Sequence, residues 1–449
     1  MAITLAAIRP CLEGIFPAAL ASCSPDGMPN VTFVSDVHYV DATHVALSYQ
    51  FFNKTRENVL ANPRVCVQLI HPDTGANYRL ELHYLHTQSA GPLYEAMKAR
   101  LAGIASHTGM SKVFRLLGSD VYRVISICAV PGAALPFASE PRSRLPALRL
   151  LLQQMQAATD LSELTQMLLE GLATQMDIGH AMVLLFDPAR QTLYTLASNG
   201  YVQSGVGAEI DLGKGVIGVA AQHRTPIRIG HYTQDYSYSR AIRAGLPSAK
   251  HDILDTEIPL PGLPQARSQI AAPICHAGKL LGVLFAESER DLRFDAEDED
   301  ALVILAQQLG QTIVLLQRDA QPDPAKKNHS VVLTPPADAK SLAVRYFAAN
   351  SSVFLDQHYL IKGVAGAIFM RLLRDYLRDG RVDFSNKELR LDPALGLPDI
   401  TDNFEARLIL LDRRLKEQQR GVYLMKTQRG RFRLIVERPL VVQELTNRA

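Results

Sequence analysis

Tryptophan is absent from this 449-residue chain, and cysteine is scarce: Cys11, Cys23, Cys66, Cys128 and Cys275 are the only five. They are odd in number and scattered, and no two form a CxxC pair. That argues against a disulfide framework or a paired-cysteine zinc site and fits a reducing cytoplasm. No apolar run reaches the roughly 18 residues that would span a bilayer. The opening stretch, MAITLAAIRPCLEGIFPAAL, lacks a basic lead and is broken by Arg9 and Glu13, so it does not read as a secretory signal. GxSxG, HExxH and Walker signatures are missing too. No hydrolytic or transfer constellation remains.

Charge is nearly balanced overall at +2 but unevenly spread. Residues 146–320 hold thirteen Lys and Arg against twenty Asp and Glu, whereas residues 340–449 hold twenty against thirteen. A basic end on an otherwise acidic chain points to a nucleic-acid-facing segment. Two stretches read as linkers: PFASEPRSRLP (Pro136 to Pro146) and the proline-rich, apolar-poor DAQPDPAKKNHSVVLTPPADAK (Asp319 to Lys340). The expected division is therefore residues 1–135, 147–318 and 342–440, with 319–341 as linker.

The first segment is strand-rich. NVTFVSDVHYV, HVALSY, VCVQLI and YRLELHYLH are short, rich in β-branched and aromatic residues, and separated by turn signals such as Pro25-Asp26-Gly27 and Asp73-Thr74-Gly75. Residues 10–130, and above all SYQFFNKTREN followed by NPRV, resemble the FMN-binding split barrel of the pyridoxamine 5'-phosphate oxidase family. The resemblance implies FMN as cofactor. It puts Lys54 and Thr55 at the flavin phosphate, flanked by Gln50 and Asn53. It lays Asn30, Thr32, Val34 and Ser35 along the flavin ring. The chain departs from the family pattern in having Thr55 where a second basic residue is common, and Thr32 where the strand often carries an arginine.

In the middle segment, Asp160 followed by Glu163 reads as a helix cap, with Leu164, Leu168, Leu172 and Met176 at helical spacing behind it. Strand candidates follow, the last two joined at Ala277-Gly278-Lys279, and a long helix capped near Asp295 closes the unit. Residues 150–318 resemble a GAF sensory domain, which implies an unidentified small-molecule effector and a dimer formed through the end helices. His231, Tyr232, Tyr236, Tyr238, Cys275 and His276 are candidate pocket residues. Gly213-Lys214-Gly215-Val216-Ile217-Gly218 satisfies GxGxxG, but it follows an acidic loop rather than the first strand of a βαβ unit, so it reads as a turn into a helix.

The third segment begins with two short strands meeting at Asn350-Ser351-Ser352. A helix with Val364, Ile368, Leu372 and Tyr376 on one face follows, and Gly380 is its C-cap. Ser385 and Glu388 form a second capping box, and a third helix buries Phe404, Leu408, Leu411 and Leu415. A hairpin through Gln428-Arg429-Gly430 ends the unit. This order resembles the winged-helix DNA-binding output domain of response regulators. The basic residues Arg407, Arg413, Arg414 and Lys416, off the helix's apolar stripe, and Lys426, Arg429, Arg431 and Arg433 on the hairpin are the expected DNA contacts.

The fold class expected is thus multidomain: a split β-barrel, then an α+β GAF domain, then a winged helix. The function expected is a cytoplasmic, homodimeric one-component transcriptional regulator that senses a small molecule or redox state and binds DNA. An FMN-dependent oxidoreductase with a regulatory GAF domain, or a non-catalytic protein-binding scaffold, are the alternatives.

Overall fold

The computed structural model describes residues 3–12, 16, 18–34, 37–49, 53–91, 93–98, 101, 116–136, 143–229, 258, 260–290, 293–319, 341–390, 392, 395, 404–428 and 430–445. Among these no helix is long and apolar enough to cross a membrane.

The first unit is built from β1 (Ala18–Cys23), β2 (Pro29–Val34), β3 (Val37–Tyr39), β4 (His44–Tyr49), α1 (Asn53–Ala61), β5 (Arg64–Ile70), β6 (Asn77–Gln88) and β7 (Gly118–Ala129). The strands form one antiparallel sheet in the order β2-β1-β5-β6-β7-β4-β3. The long pair β6–β7 carries irregularities between Glu81 and Leu82 and between Tyr84 and His86. Such bulges bend a strand and raise its twist, which lets a sheet curl around its own core. That core gathers Leu20, Val45, Leu47, Val67, Leu80 and Leu82 under the 3₁₀ turn that carries Ile8 and Leu12. Strand β7, which closes the order between β6 and β4, has no counterpart among the strands read from the sequence.

The second unit comprises α2 (Leu145–Met155), α3 (Leu161–Gln175), β8 (His180–Asp187), β9 (Thr192–Asn199), β10 (Glu209–Asp211), α4 (Gly215–His223), β11 (Ile227–Ile229), β12 (Ser268–His276), β13 (Lys279–Ser288) and α5 (Ala296–Asp319). Its sheet runs β10-β9-β8-β13-β12-β11. One apolar core joins the sheet to α2, α3 and α5, and a second lies under α4. The caps are where the sequence places them. The Glu163 N–H donates to Asp160 Oδ1 (2.9 Å), while the Glu163 carboxylate reaches back to the Thr159 N–H (3.0 Å). The Asp298 N–H donates to Asp295 Oδ1 (2.8 Å). The β12–β13 turn holds Ala277 at φ 47° and Gly278 at φ 75°, the left-handed pair that a tight two-residue hairpin needs.

The third unit has β14 (Leu342–Phe347), β15 (Ser352–Leu355), β16 (His358–Ile361), α6 (Gly363–Asp379), β17 (Asp383–Ser385), α7 (Asn386–Arg390), α8 (Phe404–Gln418), β18 (Val422–Gln428), β19 (Arg431–Val436) and β20 (Leu440–Leu445). It has two sheets, β16-β15-β14-β20 and β17-β19-β18. Strand β20 lies parallel to β14, so this unit extends to Leu445 rather than ending at 440. The Ser385–Glu388 box is reciprocal: the Glu388 N–H donates to Ser385 Oγ (3.3 Å) and the Ser385 N–H to Glu388 Oε1 (3.2 Å). Gly380 ends α6 at φ 66° with its N–H on the Tyr376 carbonyl.

Helix α6 crosses the β14–β15 turn at Gly366, where a Cβ would stand 1.9 Å from the Ser351 carbonyl oxygen. The backbone cannot yield that distance without moving the helix. Gly366→Ala is expected to destabilise the third unit by about 1–3 kcal/mol through overpacking. The check is a lowered unfolding midpoint, with the equivalent change at the open turn glycine Gly132 as a neutral reference.

Candidate functional sites

At the open end of the barrel, α1 follows directly on β4, and its first turn contains no acidic residue. Lys54 stands on that turn with its side chain 60% exposed and Nζ 3.9 Å from Glu57. It also faces the β1–β2 turn. There Asp26 is held below the usual carboxylate range, first by the Ser24 hydroxyl and its own backbone, and in smaller part by Lys54. Thr55 is buried, and the Asn30 side-chain amide donates to its hydroxyl at 2.8 Å. Asn58 donates to Ser22 Oγ at 3.2 Å behind them. Asn30, Thr32 and Val34 alternate with the exposed Val31 and Phe33 along β2, and Val34 is fully buried. The structure therefore gathers Asn30, Lys54 and Thr55 at one place and continues along one face of β2. Gln50 and Ser35 lie outside the described residues, as does the side chain of Asn53.

Sequence reading passed over Arg56. Two residues past Lys54 on a helix points to the far side, and Arg56 turns inward. Its guanidinium pairs with Asp120, donates to Thr87 Oγ1 (2.8 Å) and lies 4.5 Å from the Tyr49 ring centroid. Tyr84 and Tyr122 complete the cluster, and burial pushes the Tyr122 phenol up. The anion donors at this end are one ammonium and the first-turn N–H groups of α1. The second cation is committed to Asp120.

In the second unit, GxGxxG is a packing motif. A Cβ on Gly218 would meet the Asp211 carbonyl oxygen at 2.3 Å, so the glycine lets α4 close on β10. The Cys275 thiol is pushed up by burial, which disfavours the reactive thiolate. His276 ends β12 next to it. His231, Tyr232, Tyr236 and Tyr238 lie outside the described residues. A buried carboxylate that sequence reading missed, Glu287, accepts from the Leu263 N–H (2.8 Å) and Gln269 Nε2 (3.0 Å). Burial raises its pKa, against these donors. Glu287 lies near the end of a near-continuous apolar strand, and nothing local distinguishes it until its partners from elsewhere in the chain are known.

The largest departure concerns the basic residues of the third unit. Arg407 is not on an open face: it is buried, donates to Asp187 Oδ2 at 2.7 Å and lies 4.6 Å from the Tyr194 ring. Arg413 reaches the Leu196 carbonyl and Thr165 Oγ1 (3.1 Å), and Lys426 pairs with Asp160. Lys362 meets Glu209 at 3.2 Å, and Ser204 hydrogen-bonds Glu417. These five third-unit residues, Arg407, Arg413, Lys426, Lys362 and Glu417, all reach across to the second unit. Arg414 donates to the Leu360 carbonyl and Glu417, Lys416 to Asp412, and Arg433 to Asp383. Arg431 is half-buried on the hairpin, and Arg429 lies outside the described residues. The apolar core also runs without a break from the second unit into the third. A cavity of about 140 Å³ remains in the seam, lined by Arg190, Tyr194, Glu209, Lys362 and Arg407. The barrel meets the second unit more sparsely, through Arg9–Asp300 (3.1 Å) and Glu95–His223 (2.9 Å).

The comparisons with known proteins agree with two of these units. Residues 158–314 match the family model of the GAF domain, and residues 4–109 match that of pyridoxamine 5'-phosphate oxidase. The chain therefore combines an N-terminal domain of the pyridoxamine 5'-phosphate oxidase type with a GAF domain. No curated protein matches it. Among solved structures, the GAF domain of an Acinetobacter phosphoenolpyruvate-protein phosphotransferase is similar over 41% of this chain and 99% of its own (21% identity, TM-score 0.32). An FMN-binding protein from Syntrophomonas wolfei subsp. wolfei is similar over 28% and 84% (14% identity, TM-score 0.25). Free methionine-R-sulfoxide reductase from Neisseria meningitidis, in complex with its substrate, is similar over 42% and 99% (22% identity, TM-score 0.31).

The seam contact at Asp160 is sensitive to acid. Burial works to raise this carboxyl, but Lys426 and the N-terminal N–H groups of α3 outweigh it and hold its pKa low. A depressed folded value means the contribution is complete above the ordinary carboxylate pKa, about 4, and is lost as pH falls through the depressed value. Asp160→Asn keeps an acceptor for the cap and removes this dependence, whereas Asp160→Ala loses the cap as well, costing about 1 kcal/mol more. Urea unfolding followed from pH 3 to pH 6 checks the order: wild type, Asn variant, Ala variant.

Proposed function

We propose that the chain is a one-component transcriptional regulator. A flavin-type barrel and a GAF domain sense a small molecule or redox state, and the C-terminal unit binds DNA as a winged helix. The observation that carries this reading is the two-faced helix α8. One face, Phe404, Leu408, Leu411 and Leu415, anchors it in its own unit. The other carries Arg407, Arg413 and Arg414. The order of leading strands, helix, strand, two helices and hairpin supports the same reading, with α8 as the helix that would enter the major groove and β18–β19 as the wing. Two copies acting together would match paired half-sites.

FMN is the cofactor proposed for the barrel, with its phosphate on Lys54 and the first turn of α1 and its ring along Asn30, Thr32 and Val34. When bound it would supply an absorbance signal and a redox-dependent state. With a single cation at the phosphate, Lys54→Ala is expected to weaken FMN about tenfold, the value of one charge-assisted hydrogen bond. Riboflavin, which lacks the phosphate, should be indifferent to the change. Titration of flavin fluorescence reads both. Equal loss for the two ligands would contradict the assignment of Lys54.

For DNA, the test is retention of duplexes from a random library by the full chain as salt rises from about 50 to 200 mM. Retention should fall steeply, and Arg431→Ala should reduce the salt slope by about one. Failure to retain any duplex at the lowest salt would overturn the regulator reading.

A further inference from the structure

We propose that the GAF domain is a built-in competitor for DNA: its acidic edge occupies the α8 face, and the third unit must undock before it can bind a duplex. This rests on the DNA-binding reading above and adds its regulation. Asp187 supplies what a phosphate would, an anionic oxygen for the Arg407 guanidinium. Asp160 does the same for Lys426, while the Leu196 carbonyl gives Arg413 a neutral acceptor in place of one. The same three side chains cannot serve two partners. Along this seam three carboxylates of the GAF domain, Asp187, Asp160 and Glu209, meet three cations of the third unit, Arg407, Lys426 and Lys362.

Asp187 is suited to the part. Its Oδ1 accepts the Ala189 and Arg190 N–H groups and fixes the β8–β9 turn, which leaves Oδ2 aimed at Arg407. The seam also has an apolar part, continuous with the shared core, where Leu410 packs over Gly207, whose Cβ would stand 3.5 Å from Leu410 Cδ1. A tethered partner of this kind competes at an effective concentration on the order of millimolar. Because the seam lies on the β8–β9–β10 side of the GAF sheet, any effector that shifts that side changes the fraction of undocked molecules and so the apparent affinity for DNA.

The absence of tryptophan makes the test direct. Tyr194, 4% exposed under Arg407, is replaced by Trp in the full chain, so that emission reports whether the seam is closed. Asp187→Asn, which keeps the turn acceptor, and Ser204→Glu, which sets a second carboxylate against Glu417 at the seam margin, are the two opening variants. Both should shift emission to the red and raise affinity for the retained duplexes up to about tenfold, the ceiling if the closed form holds about nine-tenths of the molecules. Having two independent variants guards against a folding defect in either. If emission shifts while wild type and both variants bind duplex equally well, the competition is refuted and the DNA reading survives. If emission shifts and none of the three binds duplex, the DNA reading falls and the competition with it. If emission does not shift in either variant, the seam contacts do not hold the unit closed and the proposal is wrong.

Discussion

The ion pair between Asp187 and Arg407 joins residues 220 positions apart and ties the GAF sheet to the third helix of the C-terminal unit. Both side chains are almost wholly removed from water. Leaving one such charge without the other costs about 3–5 kcal/mol, because the survivor stays buried. The pair therefore constrains its surroundings. The β8–β9 turn is shaped to present the carboxylate, Tyr194 covers the guanidinium, and α8 must carry two buried faces instead of one. The remaining seam contacts, Arg413 on Leu196 and Thr165, Lys426 on Asp160 and Lys362 on Glu209, fall into register around it.

The three units are not equivalent in how they are joined. The GAF domain and the C-terminal unit share a continuous apolar core, whereas the barrel touches the GAF domain at Arg9–Asp300 and Glu95–His223. A signal that begins at a flavin in the barrel would reach the seam through the GAF domain, along α4 and α5, which bear those two contacts. Within the barrel the same logic of committed charges appears. Arg56, locked on Asp120 beneath Tyr49 and Tyr84, supports the floor of the site, and Lys54 faces outward.

Local chemistry was legible in the sequence. The caps at Asp160, Asp295 and Ser385, the Gly380 helix end and the Ala277-Gly278 turn are each set by neighbours within four residues, and each formed. The apolar stripe of α8 was legible for the same reason. Its second buried face was not, because an arginine reads as solvent-facing until the carboxylate that receives it is known. Strands β7 and β20 escaped notice since their partners, β4, β6 and β14, are distant in sequence and their own polar residues mask the alternation. At the barrel site, Lys54 and Thr55 were legible from the turn, whereas the inward rotation of Arg56 depends on Asp120, 64 positions on.

The docked seam is tested most directly by zero-length carbodiimide cross-linking of the full chain, read by mass spectrometry, which joins only carboxylates and amines already in contact. The account predicts Lys426–Asp160 and Lys362–Glu209 amides across the seam, alongside Lys416–Asp412 within α8 as the internal control. Recovery of the control link without either seam link would contradict it.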